Sequence, residues 1–291
     1  MSPRALRRKS AESAPALTAE DLGQVGDLGA LAHYADPAYY DRTYAKRTDD
    51  VAWYVALAKS VGGPVLELGA GSGRVTLSLA RAGIDVTAVD LSRPMLRALE
   101  GKLEEEDAAL RRRVRLKHAD FASLALRGRF PLVIAPFNVV LHLYTLEEVR
   151  GFFRSVSKHL EPGGVLAFDF SVPQPADLCL DPNKRYHAPR FRHPTTGKLT
   201  RYAERFEYDP LRQLLVVWME FYPEDGSPAW TVPLTHRQFF PLEMRGYLEA
   251  AGFEAIEYFG DFGSEPPTRE VDSIAVTCRA PRGRARPKRP R

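Results

Sequence analysis

Glycines at alternate positions, Gly69, Gly71 and Gly73, follow an apolar run over residues 65–68 that contains a single acid, Glu67, and the turn also carries Ala70. Glycine lets a backbone turn tightly and lie close to a ligand. A helical pattern over residues 75–82 begins directly behind the turn, so the ligand would meet a helix N-terminus, as in nucleotide pockets. Further polar groups close later apolar runs: Asp90 ends DVTAVD, Asp120 follows the strand pattern of residues 114–118, and Pro136 follows that of residues 132–135. His142 lies just past the fourth of these runs, and histidine can take a proton near neutral pH. Tyr40 is the other candidate catalytic group, in a cluster with Tyr34, Tyr39 and Tyr44. These tyrosines either form a lid, each ring being an apolar wall with one hydroxyl, or staple an N-terminal helix to the core. The competing structural reading of His142 is a ring beside Tyr144 where the next helix begins.

The elements that must position these groups alternate. Strand patterns at residues 65–68, 85–90, 114–118, 132–135 and 165–170 are separated by helical patterns, among them residues 50–60, 75–82 and 145–160. Ser92 is placed to cap one helix with Pro94 in its first turn, and Thr145 with Glu148 forms a capping-box pattern. A helix over residues 242–251 and strands over 253–259 and 273–278 complete the series. The pattern predicts an open α/β fold: a mostly parallel sheet with helices on both faces. Ligands on such sheets bind at the carboxyl ends of the strands, where Glu67 to Gly73, Asp90, Asp120 and Pro136 to Asn138 all fall.

Residues 184–240 break the alternation and read as an antiparallel β insertion. Its apolar run LLVVWMEFY suits a sheet that covers the pocket or meets a second subunit in a homodimer. The insertion carries Tyr186, Phe191, Tyr202, Trp218, Phe221, Trp230 and Phe239, with Arg190, Arg192, Arg201, Arg205 and Arg237. Aromatic walls with one arginine would suit a planar or carboxylate-bearing ligand, whereas arginines on an antiparallel sheet ordinarily face water.

Composition bounds the alternatives. The 291 residues are 44% apolar and 27% charged, as in a globular protein, and no stretch reads as a membrane span. No apolar segment follows Arg4, Arg7, Arg8 and Lys9, so a secretory signal is not expected; Cys179 and Cys278 lack metal-ligand spacing. A reducing cytoplasm and no metal site are the expectation. Removing the eleven basic residues of the two ends takes the net charge from +4 to −7, so the body is acidic. Residues 1–30 and 279–291 are read as disordered basic tails flanking one domain over residues 31–278. Nucleic-acid recruitment through those tails is the weaker reading.

The motifs ELGAGSG, VDLSRPML, HADF and PFNVVLHL together resemble the class I S-adenosylmethionine-dependent methyltransferases, in their small-molecule branch, over roughly residues 39–278. The resemblance implies a Rossmann-like, mostly parallel seven-stranded sheet with helices on both faces and a closing antiparallel hairpin, and S-adenosyl-L-methionine as cofactor. Glu67, Gly69, Ala70, Gly71 and Gly73 would pass against its methionine portion, and Asp90 would accept both ribose hydroxyls. Leu91 and Met95 would pack on the adenine, Asp120 would take its amino group with Phe121 beside the ring, and Tyr44 and Pro136 would complete the contacts. It implies methyl transfer to nitrogen or oxygen of a small molecule; a non-catalytic binding protein of the same fold and a nucleic-acid methyltransferase are the alternatives. A dinucleotide-binding domain is the nearest rival fold, but its fingerprint wants a small residue where Arg74 stands. The APFN segment departs from the N/D-P-P-Y/F pattern of base-modifying enzymes, which favours a small-molecule acceptor.

Overall fold

The computed structural model describes residues 29–282. Five strands, β1 (Val65–Leu68), β2 (Val86–Asp90), β3 (Val114–His118), β4 (Phe130–Ala135) and β5 (Leu160–Ser171), pair in parallel. Four more, β6 (Tyr186–Arg192), β7 (Leu199–Asp209), β8 (Leu214–Pro223) and β9 (Trp230–Arg237), form a separate antiparallel sheet in that order. The chain then returns through β10 (Glu254–Gly260) and β11 (Ser273–Arg279) to the first sheet, whose order is β10-β11-β5-β4-β1-β2-β3. Only β11 runs against its neighbours, β5 and β10. This is the expected seven-stranded architecture.

Burial on both faces explains the continuous apolar strands. Along β1 and β4 the side chains alternate: Leu66, Leu68, Val133 and Ala135 pack into one core with Phe152, Phe153 and Phe168. Val65, Leu132 and Ile134 pack into the other with Tyr54, Leu79 and Leu99. The helices that cover these faces are α1 (Pro37–Tyr44), α2 (Asp49–Val61), α3 (Arg74–Arg81), α4 (Arg93–Glu104), α5 (Ala108–Arg111), α6 (Leu146–His159), α7 (Pro175–Leu178) and α8 (Pro241–Ala250). Ser92 caps α4 through the Met95 N–H, and Thr145 and Glu148 form the full capping box of α6.

Three boundaries differ from expectation. Residues 162–164, expected to turn into the fifth strand, lie inside β5 because Gly163 and Gly164 exchange backbone hydrogen bonds with Ala280. For the same reason residues 279 and 280 are pinned to the sheet rather than belonging to a tail. Residues 29 and 30 are helical, and the rest of the two basic ends lies outside the described residues. Phe239, counted with the insertion's aromatics, is fully buried in the main core. Among the described residues no helix is long and apolar enough to cross a membrane, and no cluster of metal-ligating side chains occurs.

One buried carboxylate fixes the loop after β4. Asp169, near the end of β5, is fully buried and accepts hydrogen bonds from the Tyr54 hydroxyl at 2.7 Å and from the backbone N–H groups of Phe137 at 2.6 Å and Asn138 at 3.2 Å. Phe137 and Asn138 both adopt left-handed backbone angles, φ 65° and 63°, which non-glycine residues seldom hold without support. The Asn138 side chain accepts in turn from the Ser171 N–H at 2.7 Å. Asp169→Asn replaces an acceptor-only group by an amide that cannot satisfy all three donors. Hydrogen bonds to buried charged groups are worth ~1.5–3 kcal/mol, so urea unfolding is expected to show a loss of about that size. Unchanged stability would mean that the loop holds itself.

Candidate active site

The strand-end groups of the first sheet meet around a cavity of about 280 Å³. Gly71, at φ 58°, has open space where a side chain would point, so glycine is required there by backbone conformation rather than by crowding. Its N–H donates to Asp90 Oδ2 at 2.7 Å, and the Ser92 N–H donates to Asp90 Oδ1 at 2.7 Å. Asp90 therefore ties the loop after β1 to the loop after β2, and each oxygen keeps a second acceptor position. Burial raises its pKa, opposed by these backbone hydrogen bonds. Gly73 serves packing: a β-carbon there would lie 2.2 Å from Leu99 Cδ1 of α4.

Of the expected cofactor residues, Gly69, Gly71, Asp90, Leu91, Asp120, Phe121 and Pro136 line this cavity, as do both candidate catalytic residues, Tyr40 and His142. Leu91 is 44% exposed. Asp120 accepts from the Ala122 N–H at 2.8 Å, capping a short turn that presents Phe121, whose ring meets Phe152 edge-on. Met95 does not line the cavity: it is fully buried on the inner side of α4, in the core rather than at the site. Glu67 is 1% exposed and sits beneath the turn, accepting from the Thr76 hydroxyl at 2.6 Å; burial pushes its carboxyl up to about 8. Ala70 and Gly73 likewise shape the turn from behind rather than lining the cavity.

Tyr44 lies on the far side of Tyr40, in an adjoining pocket of about 380 Å³ with Arg47, Arg74 and Lys102. Phe137 stands between the two spaces. Its ring packs edge-on against Tyr44 at 4.8 Å and carries the Arg47 and Arg74 guanidinium groups at 4.7 and 4.9 Å. Arg74 is engaged by a two-point ion pair with buried Asp50, at 2.7 and 2.6 Å, whereas Arg47 stands 3.7 Å from the same carboxylate. Arg47 and Asp169 were not singled out from the sequence as site residues, and Phe137 was placed only at the strand end. For Asp169 a signal existed, a lone acid inside the apolar run VLAFDFS; Arg47 offered none.

At its inner end the cavity is walled by neutral aromatic and imidazole groups. The Tyr34 hydroxyl is 2.8 Å from His142 Nε2, His142 Nδ1 is 3.1 Å from the Tyr144 hydroxyl, and that hydroxyl is 2.7 Å from Thr235 Oγ1 on β9. His236 of β9 stacks edge-on to His142, ring centres 5.2 Å apart. Burial lowers the His142 and His33 rings to about 4 and His236 well below its usual value. Burial also raises Tyr34 and Tyr40 and pushes Tyr44 up to about 12. The cluster is uncharged at neutral pH, with both His142 nitrogens occupied.

Known proteins share this fold. A family model described as a methyltransferase domain matches residues 65–164. The cypemycin N-terminal methyltransferase of a Streptomyces species is 33% identical over 150 residues, 48% of this chain and 59% of that protein. The CcbJ methyltransferase from Streptomyces caelestis superposes with a TM-score of 0.71 at 26% identity, covering 87% of this chain and 99% of the other. The glycopeptide N-methyltransferase MtfA, solved with S-adenosyl-L-methionine, gives 0.56 at 26% identity, covering 80% and 94%. The chain spans about half the length of the curated relatives it matches. A glycine turn locked to the acid at the end of the second strand sits on this sheet, within the matched residues. Residues 65–164 are a methyltransferase domain, and the chain's fold is that of the S-adenosylmethionine-dependent methyltransferases it resembles.

Proposed function

We propose that the chain moves a methyl group from S-adenosylmethionine to a nitrogen of a small-molecule acceptor by in-line displacement. The observation that carries the reading is Asp90, whose oxygens are each oriented by one backbone N–H and each retain an acceptor position toward the cavity. That carboxylate suits the two ribose hydroxyls. Leu91 and Phe121 flank the adenine, Asp120 accepts from its amino group, and the Gly69–Gly71 backbone runs along the methionine. Tyr44 and Arg47 would meet the methionine end, Arg47 being the less tightly paired of the two arginines in that pocket. Nitrogen is favoured because relatives of this chain carry N-methyltransferase names.

S-adenosylmethionine supplies a methyl group on a positively charged sulfur, and that charge disappears as the methyl leaves. The protein's task is then alignment and exclusion of water. Tyr34, Tyr40 and Tyr144 supply hydroxyls and aromatic edges without a competing cation. His142 is a poor general base at a pKa of about 4 with both nitrogens engaged. It acts instead as a positioning residue that holds the Tyr34 and Tyr144 hydroxyls.

Labelled methyl transfer to paired amine and alcohol acceptors tests the reading; incorporation into alcohols alone would overturn the choice of nitrogen. Asp90→Ala is expected to weaken cofactor binding by ten- to about a hundred-fold, the equivalent of ~1.5–3 kcal/mol for charge-assisted hydrogen bonds, measured by calorimetry. Unchanged affinity in the folded variant would move the pocket elsewhere. His142→Gln should keep turnover within about ten-fold, whereas general-base loss costs about 10²–10⁴-fold. The same variant tests linkage. A folded pKa of about 4 against 6.5 unfolded means that the unfolded chain binds more protons, so stability is present above 6.5 and lost as pH falls toward 4. Removing His142 should flatten the dependence of Tm on pH in that window, and an unchanged slope would contradict the buried neutral ring.

A further inference from the structure

One carboxylate on the cavity wall has no part in the site described so far. Glu148, in the first turn of α6, is half-buried and lines the same cavity as Asp90 and Asp120. Its Oε2 belongs to the capping box, accepting from the Thr145 N–H at 2.7 Å and from the Thr145 hydroxyl at 3.0 Å. Its Oε1 accepts no hydrogen bond among the described residues, and Glu148 enters no ion pair among them. No described lysine or arginine lines this cavity.

The packing of α6 shows where that carboxylate stands. Residues three and four apart share one side of a helix, so Glu148, Gly151, Phe152 and Ser155 form a row. This row meets the segment after β3 in reverse order. The Ser155 hydroxyl donates to the Leu124 carbonyl at 3.4 Å, a β-carbon on Gly151 would lie 3.4 Å from the Ala122 carbonyl oxygen, and the Phe152 ring meets Phe121. One turn nearer the start of α6 the row reaches Glu148, and one residue back along the segment lies Asp120. The two carboxylates therefore close the same end of the cavity, beside Leu91 and Phe121. Asp120 accepts one bond on each oxygen, from the Ala122 N–H at 2.8 Å and the Ser123 hydroxyl at 3.2 Å, and each oxygen has room for another.

Two acceptors side by side suit a ligand group with two N–H bonds that point apart. With the ribose on Asp90, the base projects toward this end, and the exocyclic amino group of adenine carries two such bonds. We infer that Glu148 is a second acceptor for that amino group: Asp120 takes one N–H and Glu148 Oε1 the other, so that the pair selects adenine over a 6-oxopurine. An oxo group there would set its oxygen against two carboxylates, and such repulsion gives specificity. The inference rests on the methyl-transfer reading and deepens it, adding a residue that sets which base the donor carries.

The full chain is titrated by calorimetry with S-adenosylhomocysteine and with S-inosylhomocysteine, which has a 6-oxo group in place of the amino group. The unaltered protein should prefer the adenine ligand at least about a hundred-fold. Glutamine also serves in a capping box, so Glu148→Gln keeps the helix start, and its amide can donate to the oxo group. The preference should shrink about ten-fold or more, chiefly because S-inosylhomocysteine binds more tightly, which loss of a cap does not produce. Glu147→Gln, in the same turn but exposed, should leave the ratio intact. A second readout needs no variant: S-adenosylhomocysteine labelled with nitrogen-15 at its amino group should show two separate, downfield-shifted amino proton signals when bound. A single water-like amino signal, equal binding of the two ligands, or a ratio that survives Glu148→Gln would each overturn the inference. Failure of S-adenosylhomocysteine to bind the unaltered chain would instead bring down the methyl-transfer reading beneath it.

Discussion

The hydrogen bonds from the backbone N–H groups of Gly71 and Ser92 to Asp90 are the constraint from which the site follows. They join two loops that the parallel register of β1 and β2 brings side by side, and they exist only because glycine at position 71 tolerates a positive φ. The turn can then be tight enough to lead directly into α3. Burial disfavours the charged form of Asp90 and the oriented N–H groups restore it, so the carboxylate is preorganised rather than solvated.

A second buried acid performs the matching task across the sheet. Asp169 holds Phe137 and Asn138 in left-handed conformations, and Phe137 then divides the Asp90 cavity from the pocket containing Arg47 and Arg74. The two halves of the site are therefore set by carboxylates on β2 and β5, with the packed cores on both faces keeping those strands in register. The inner wall contributes hydroxyls and neutral imidazoles.

Much of this architecture was legible in the sequence because it rests on local rules. The period-2 and period-3.6 patterns, the capping residues Ser92, Thr145 and Glu148, and the alternate glycines act over a few residues, and the strand-end position of Asp90 follows from them. Where the reading fell short, tertiary placement decided. Periodicity shows that Met95 faces inward but not whether inward means cavity or core. His142 could be placed at the crevice, but burial and the two tyrosine hydroxyls on its ring become visible only when β9 and residues 33–44 are in position. The alternation of Arg201 and Arg205 with Tyr202, Glu204 and Phe206 was present in the sequence, yet what each face meets depended on where Tyr39, which packs on Phe221, and Tyr144, which reaches Thr235, came to lie.

Calorimetric titration of the full chain with S-adenosylhomocysteine, with NADH as the competing nucleotide, tests the central claim most directly. The account predicts one-to-one binding of S-adenosylhomocysteine at micromolar affinity and no heat from NADH. A folded protein that binds NADH, or that binds neither, would contradict the assignment of the Asp90 cavity to the methyl donor.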